Sequence, residues 1–178
     1  MKKTTLMLLF TVFSIGAQDK FKTSTAIVNF EASVPLFEEV KAVNKLGTIV
    51  LEPQTSTLIC AVIIKDFDFK MDLMKEHFND NYVESHRFPK AVFKGKIEKF
   101  DLKDICETDK EFEVKGKMYL HGKMKLITVK ASMKKVEGGI AITSNFPLTI
   151  ADFNIDIPYV VANKISKTVH TDLSGIMK

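Results

Sequence analysis

Met71–Lys96, MDLMKEHFNDNYVESHRFPKAVFKGK, is the stretch on which the fold turns. Met71, Met74, Phe78 and Tyr82 follow one another at spacings of three, four and four, which sets them on one face of a helix over Met71–Tyr82. Asp72, Lys75, Glu76, Asn79 and Asp80 fill the remainder of the turn. Pro89 ends any helix, because its ring disfavours helical backbone at Phe88. Beyond it the period drops to two. Ala91, Phe93, Gly95 and Ile97 share one face and Val92, Lys94, Lys96 and Glu98 the other, as in a half-buried strand.

The flanks of this stretch read as strands. Upstream, Ala26, Val28, Phe30 and Ala32 alternate with polar neighbours, and Glu39–Leu51 is extended, with Gly47 as a bulge or bend. Leu58–Ile64, LICAVII, is apolar throughout and β-branched, which calls for cover on both faces; the nearby helix is the expected cover. Downstream, Phe112, Val114, Gly116, Met118 and Leu120 alternate without a fault up to a hairpin turn at His121-Gly122. Ile127, Val129, Ala131 and Met133 return, Gly138-Gly139 makes a second turn, and Ile140, Ile142, Ser144 and Phe146 follow until Pro147 stops them. Ile165, Val169 and Leu173 share one face of a last strand. About eight strands with short turns and one inserted amphipathic helix describe an all-β antiparallel barrel or sandwich, and closure removes exposed sheet edges.

The N-terminus reads as a secretory signal peptide over residues 1–17: Met1-Lys2-Lys3, the apolar Leu6–Ile15, then small residues at Gly16 and Ala17. The apolar run is shorter than the roughly 20 residues a bilayer core requires. The expected product is a single domain, 18–178, beginning at Gln18 and located in the periplasm or secreted. Without Lys2 and Lys3, the 26 basic residues become 24 against 22 acidic ones. Such a balance argues against nucleic acid as a partner. Cys60 and Cys106 are too few for a disulfide scaffold and are expected to be free thiols.

Catalytic and metal chemistry find little support. His77, His86, His121 and His170 show no ligand spacing, no G-x-S-x-G occurs, and Asp152 and Asp156 read as turn carboxylates. No cofactor is implied. Lysines at 115, 117, 123, 125, 130, 134 and 135 form a basic hairpin, mostly the wet face of two strands, with a weak attraction for membrane headgroups as the alternative. The apolar supply is what distinguishes the chain: 14 Phe against 3 Tyr and no Trp. Phe30, Met71, Met74, Phe78, Phe88, Ala91, Phe93, Met118 and Phe146 fall on inward or covering faces, where they either pack a core or line a bore.

Three segments resemble a known family. Phe88-Pro89-Lys90-Ala91-Val92-Phe93 is similar to its aromatic-Pro-x-x-x-Phe motif. Val114–Gly122 resembles its G-x-L-T-x-H-G hairpin, retaining Gly116, His121 and Gly122 but with Met118-Tyr119 in place of Leu-Thr. Ala151–Ile155 resembles its D-F-G-I segment, with Asn154 in place of Gly. The chain is thereby identified as similar to the YceI-like, polyisoprenoid-binding family of bacterial periplasmic proteins. The resemblance implies a lipocalin-type barrel, no catalysis, and an apolar bore for a polyisoprenoid, quinone or other lipid-like amphiphile, with Phe153 joining the lining residues. An enzyme acting on a lipid-like substrate and a module with a packed interior are the alternatives. The sequence leaves the oligomeric state open, a homodimer being one arrangement it permits.

Overall fold

The computed structural model describes residues 20–178, so the expected leader and the cleavage point before Gln18 lie outside the described residues. The strands are β1 (Phe21–Ser33), β2 (Lys41–Glu52), β3 (Thr57–Ile63), β4 (Asp68–Phe69), β5 (Lys90–Ile97), β6 (Lys110–Leu120), β7 (Lys123–Val136), β8 (Gly139–Thr149) and β9 (Ile165–Met177). Eight of them close into an antiparallel ring, β1-β9-β8-β7-β6-β5-β3-β2, with β2 returning onto β1. The two-residue β4 also pairs with β2, as the continuation of β3 beyond a 3-10 turn at Ile64–Asp66. Gly47 faces Ala26 where the β1–β2 register shifts on both sides, and a side chain there would meet the Ala26 carbonyl oxygen at 2.9 Å.

Antiparallel closure sorts the connections by end. The β1–β2 loop, the long segment from β3 to β5, the His121-Gly122 hairpin and the 150–164 connection all leave from one end, here called the mouth. At the other end, the floor, the side chains meet across the lumen: Ile49, Leu51, Leu58, Val114, Met133, Ile142 and Met177 are fully buried. Phe100 and Phe112, 5.5 Å apart, belong to the same half. The barrel is therefore a packed core at its floor. Inward parity on β5 is as the alternation predicts, with Ala91, Phe93, Gly95 and Ile97 all buried and the intervening lysines exposed.

Three local expectations change. The helix is shorter than Met71–Tyr82: α1 spans Asp72–His77, and Phe78–Tyr82 widens into a π turn, the Val83 N–H donating to Phe78 O at 3.0 Å. Asn79 Nδ2 donates to the Lys75 carbonyl (2.8 Å), a side-chain bond that competes with the regular ladder. Nor does the helix cover the outer face of β3. Its side chains join Val62 and Ile64 on the inner face, and the outward Ile59, Ala61 and Ile63 stay half-buried. Finally, Pro147 does not stop β8, which runs on to Thr149. β8 pairs with β7 only as far as Ser144, opposite Ala131, but with β9 through Thr149. Pro147 thus lies where one flank of the strand has no ladder, and its missing N–H costs nothing there.

Candidate functional site

The mouth half of the barrel is hollow. A cavity of about 340 Å³ opens there, and a second of about 70 Å³ continues from it toward the floor. Both are bordered by Val28, Val62, Ala91, Met118 and Thr171, which form a neck between them. Phe30, Met71, Met74, Phe78, Ala91, Met118 and Phe153 border the outer chamber, and Ala91, Phe93, Met118 and Phe146 the inner one. Gly95 leaves room for the Phe93 ring, against which a Cβ at that position would press to 2.8 Å.

Reading the sequence alone overlooks Phe67 and Phe69. With Phe30 and Phe78 they form a four-ring cluster, with centroids 5.2 Å apart for Phe30–Phe67, 5.3 Å for Phe30–Phe78 and 5.0 Å for Phe69–Phe78. Edge and offset contacts of this kind add to simple area burial, and this cluster fastens the inserted helix over β1 and β4. Its signal is the alternation Asp66-Phe67-Asp68-Phe69, a strand pattern too short to separate from a turn.

Phe88 lies elsewhere. It borders neither chamber but meets His121 edge-on, with centroids 4.7 Å apart, and the Arg87 guanidinium lies over its ring, 5.1 Å from the centroid. Gly122, at φ +69°, makes that seat, since a Cβ would stand 2.6 Å from the Phe88 ring. His121 in turn contacts Glu84 and the Phe153 carbonyl. The three segments that carry the family resemblance therefore meet in one clasp beside the mouth. Asn154 adopts φ +54° at the end of the Ile150–Phe153 turn, a left-handed position that Asn tolerates better than most residues other than Gly.

The bore is weakly polar. Thr171 is buried in its wall, Ser144 Oγ donates to Lys130 O at 2.7 Å, and Glu38, His77 and Lys164 stand at the mouth. Cys60 borders the inner chamber, and burial pushes its thiol up to about 12. Its partial accessibility is toward the bore. Cys106 is exposed, and both cysteines are free. His86 and His170 are exposed, and Asp152 pairs with Lys125 at 2.8 Å. Among the described residues, no group of three His, Cys, Asp or Glu side chains is placed to hold a metal ion. Of the hairpin lysines, Lys115, Lys125, Lys130 and Lys134 have carboxylate partners within 3.0 Å, which reduces the free charge of that face. No helix of the described residues is long and apolar enough to cross a membrane.

Solved structures share this fold. A polyisoprenoid-binding domain from Saccharophagus degradans, implicated in plant cell wall breakdown, matches with a TM-score of 0.74 at 15% identity, over 87% of this chain and 95% of that one. Burkholderia cenocepacia BcnA matches at 0.67 and 13% identity, over 84% and 94%. A Campylobacter jejuni YceI protein matches at 0.54 and 16% identity, over 100% and 99%. No curated protein matches in sequence. The sequence model of the YceI-like domain, however, matches residues 18–175, nearly the whole chain, and this protein belongs to the YceI-like family.

Proposed function

We propose that this protein is an exported, non-catalytic carrier that holds a long-chain amphiphile, a polyisoprenoid, quinone or other lipid, in the mouth half of its barrel. One observation carries the reading: the bore is walled by apolar side chains from many strands and has its charged groups only at the open end. Each methylene buried in such a wall contributes about 0.8 kcal/mol, so ten give roughly 8 kcal/mol before ordering costs. A chain can therefore be held without a charged anchor. Specificity then rests on bore length and on the few polar groups at the mouth. Phe30, Met71, Met74, Phe78, Ala91, Phe93, Met118, Phe146 and Phe153 are the proposed contacts, the methionines forming the adaptable part of the wall. Family membership and the polyisoprenoid-binding neighbour support the ligand class. The lysines at the start of the chain and the apolar run after them support export.

Mass spectrometry of organic extracts from protein purified out of its native host tests the binding. A stoichiometric long-chain amphiphile is expected, and an extract without one, from protein that also takes up none when offered, overturns the reading. Intact mass on the same material is expected to place the N-terminus at Gln18.

A further inference from the structure

We propose that the mouth of the barrel docks on a lipid bilayer through a rim of apolar side chains, so that an amphiphile passes between bilayer and bore without crossing water. The inference rests on the carrier reading but concerns a different surface. Three segments that are neighbours around the ring, the 150–164 connection, the β1–β2 loop and the start of the helical insertion, each project large apolar side chains into solvent. Leu36 is fully exposed (102%), Tyr159 is 95%, Val160 81% and Leu73 60% exposed, and Phe37 and Met71 are less so. Each segment also borders the bore, through Glu38, Val161 and Leu73 or Met71. The rim is thus continuous with the apolar lining.

The β1–β2 loop shows that this exposure is built in. The Phe37 N–H donates to Val34 O (3.2 Å), Pro35 takes the first central position, and Leu36 takes the second at φ +72°. That is the pattern of a type II turn, whose second central position favours glycine. A branched, apolar residue is held there in left-handed backbone, pointing into water and packing against nothing. Strain of this kind persists where it serves a site. A flat interface with a second copy would also seal the bore, whereas hydrocarbon would extend it. Charge at the rim is mixed, with Glu38, Asp72 and Asp156 set against Lys70 and Lys164. Docking therefore comes from apolar insertion, with Tyr159 amphipathic at headgroup depth, and not from the basic hairpin.

The closed barrel and its core lie within residues 20–178, so the chain beginning at Gln18 is the form to test. Its sedimentation with phosphatidylcholine vesicles is compared with that of a Leu36→Ser, Tyr159→Ser, Val160→Ser variant and of Leu36→Gly. The parent is expected to adsorb equally with or without phosphatidylglycerol, and still at about 0.5 M salt, where charges are screened beyond ~4 Å. The triple variant is expected to adsorb about tenfold more weakly or worse, and to take up dansylaminoundecanoic acid from vesicles about tenfold more slowly. Its uptake of that probe from buffer should be unchanged. Leu36→Gly should adsorb more weakly than the parent but less weakly than the triple variant, while unfolding at no lower a temperature than the parent. The proposal is overturned if the parent does not adsorb, if the triple variant adsorbs like the parent, or if adsorption requires phosphatidylglycerol and vanishes in salt. It is equally overturned if light scattering shows the substitutions dissolving a dimer of this chain. Failure of every form to take up the probe from buffer would refute the carrier reading instead, because adsorption is read separately.

Discussion

His121 Nε2 lies 3.1 Å from Glu84 Oε2, joining the tip of the β6–β7 hairpin to the segment that follows the inserted helix. Both residues have left-handed backbone, at φ +49° and +44°. The second ring nitrogen, Nδ1, is 3.0 Å from the Phe153 carbonyl oxygen. Both partners are acceptors, so both contacts are hydrogen bonds only when each ring nitrogen carries a proton. Arg87 Nη1 reaches the other Glu84 oxygen at 2.5 Å.

The clasp should fail in acid. The Arg87 hydrogen bond first, and that of His121 second, hold the Glu84 carboxyl below its ordinary value of 4.5. A carboxyl that ionises more readily in the fold stabilises it above the unfolded pKa, and that contribution disappears as pH falls through the lowered folded value. Thermal unfolding of Glu84→Gln should therefore occur below the parent at pH 7, and the gap should close as pH falls through the lowered Glu84 value. Equal melting of the two proteins at pH 7 would show the contacts to be without energetic consequence.

Gly122 is expected to resist substitution for two reasons that add. Its φ of +69° disfavours any side chain, and a Cβ would press on Phe88. Gly122→Ala should cost about 1–3 kcal/mol in urea unfolding. The packing share is separable: in a Phe88→Ala background the same change should cost only the backbone part, about 1 kcal/mol. Identical costs in both backgrounds would show that the ring yields freely.

Cys60 and Cys106 should differ sharply in reactivity. With its thiol pushed up to about 12 by burial, Cys60 has almost no thiolate at pH 8, while Cys106 is open to solvent. Iodoacetamide at pH 8 should label Cys106 alone in the native protein and both cysteines in urea. The same burial links stability to alkali. The fold favours the neutral thiol, so stability is present below the unfolded value near 9 and is lost as pH rises from there toward 12. Cys60→Ala should lack this alkaline loss, and a profile unchanged by the substitution would assign it to other groups.

The strands were legible because alternation reports which side of a sheet is wet, and that is decided residue by residue. What lies across the lumen is not local. Val114 and Phe93 obey the same alternation, yet one meets other side chains across the floor and the other faces a chamber. Phe88 looked inward because it precedes an inward-facing strand. The left-handed turn at Glu84 and the bare backbone of Gly122 give it a different seat, and that contact spans more than thirty residues of sequence. The Leu58–Ile64 run misled in another way. Its outward Ile59 shares a row with the half-buried Val50 and the exposed Lys94 on the neighbouring strands, so its apolar outer face is covered by strand neighbours in part and by no helix.

The neck between the two chambers sets how much chain the bore accepts, and Met118 and Ala91 act on it in opposite directions. Met118→Ala removes the one long, flexible side chain shared by both chambers and should join them into a single space. Without ligand, the enlarged cavity costs about 2–4 kcal/mol, because lining atoms lose their contacts. A longer or bulkier amphiphile recovers part of that, so extracts of the variant should shift toward heavier species and the loaded form should lose less stability than the stripped one. Ala91→Leu does the reverse. Its added methylenes enter open space, so the stripped fold should change by less than about 1 kcal/mol, where overpacking a filled core would cost about 1–3. Bound lipid should fall or shorten. Native mass spectrometry of the extracts, paired with urea unfolding of stripped protein, reads both quantities. Ala91→Leu destabilised by several kcal/mol, with its lipid content intact, would mean that the neck is part of a packed core and that chain length is read elsewhere.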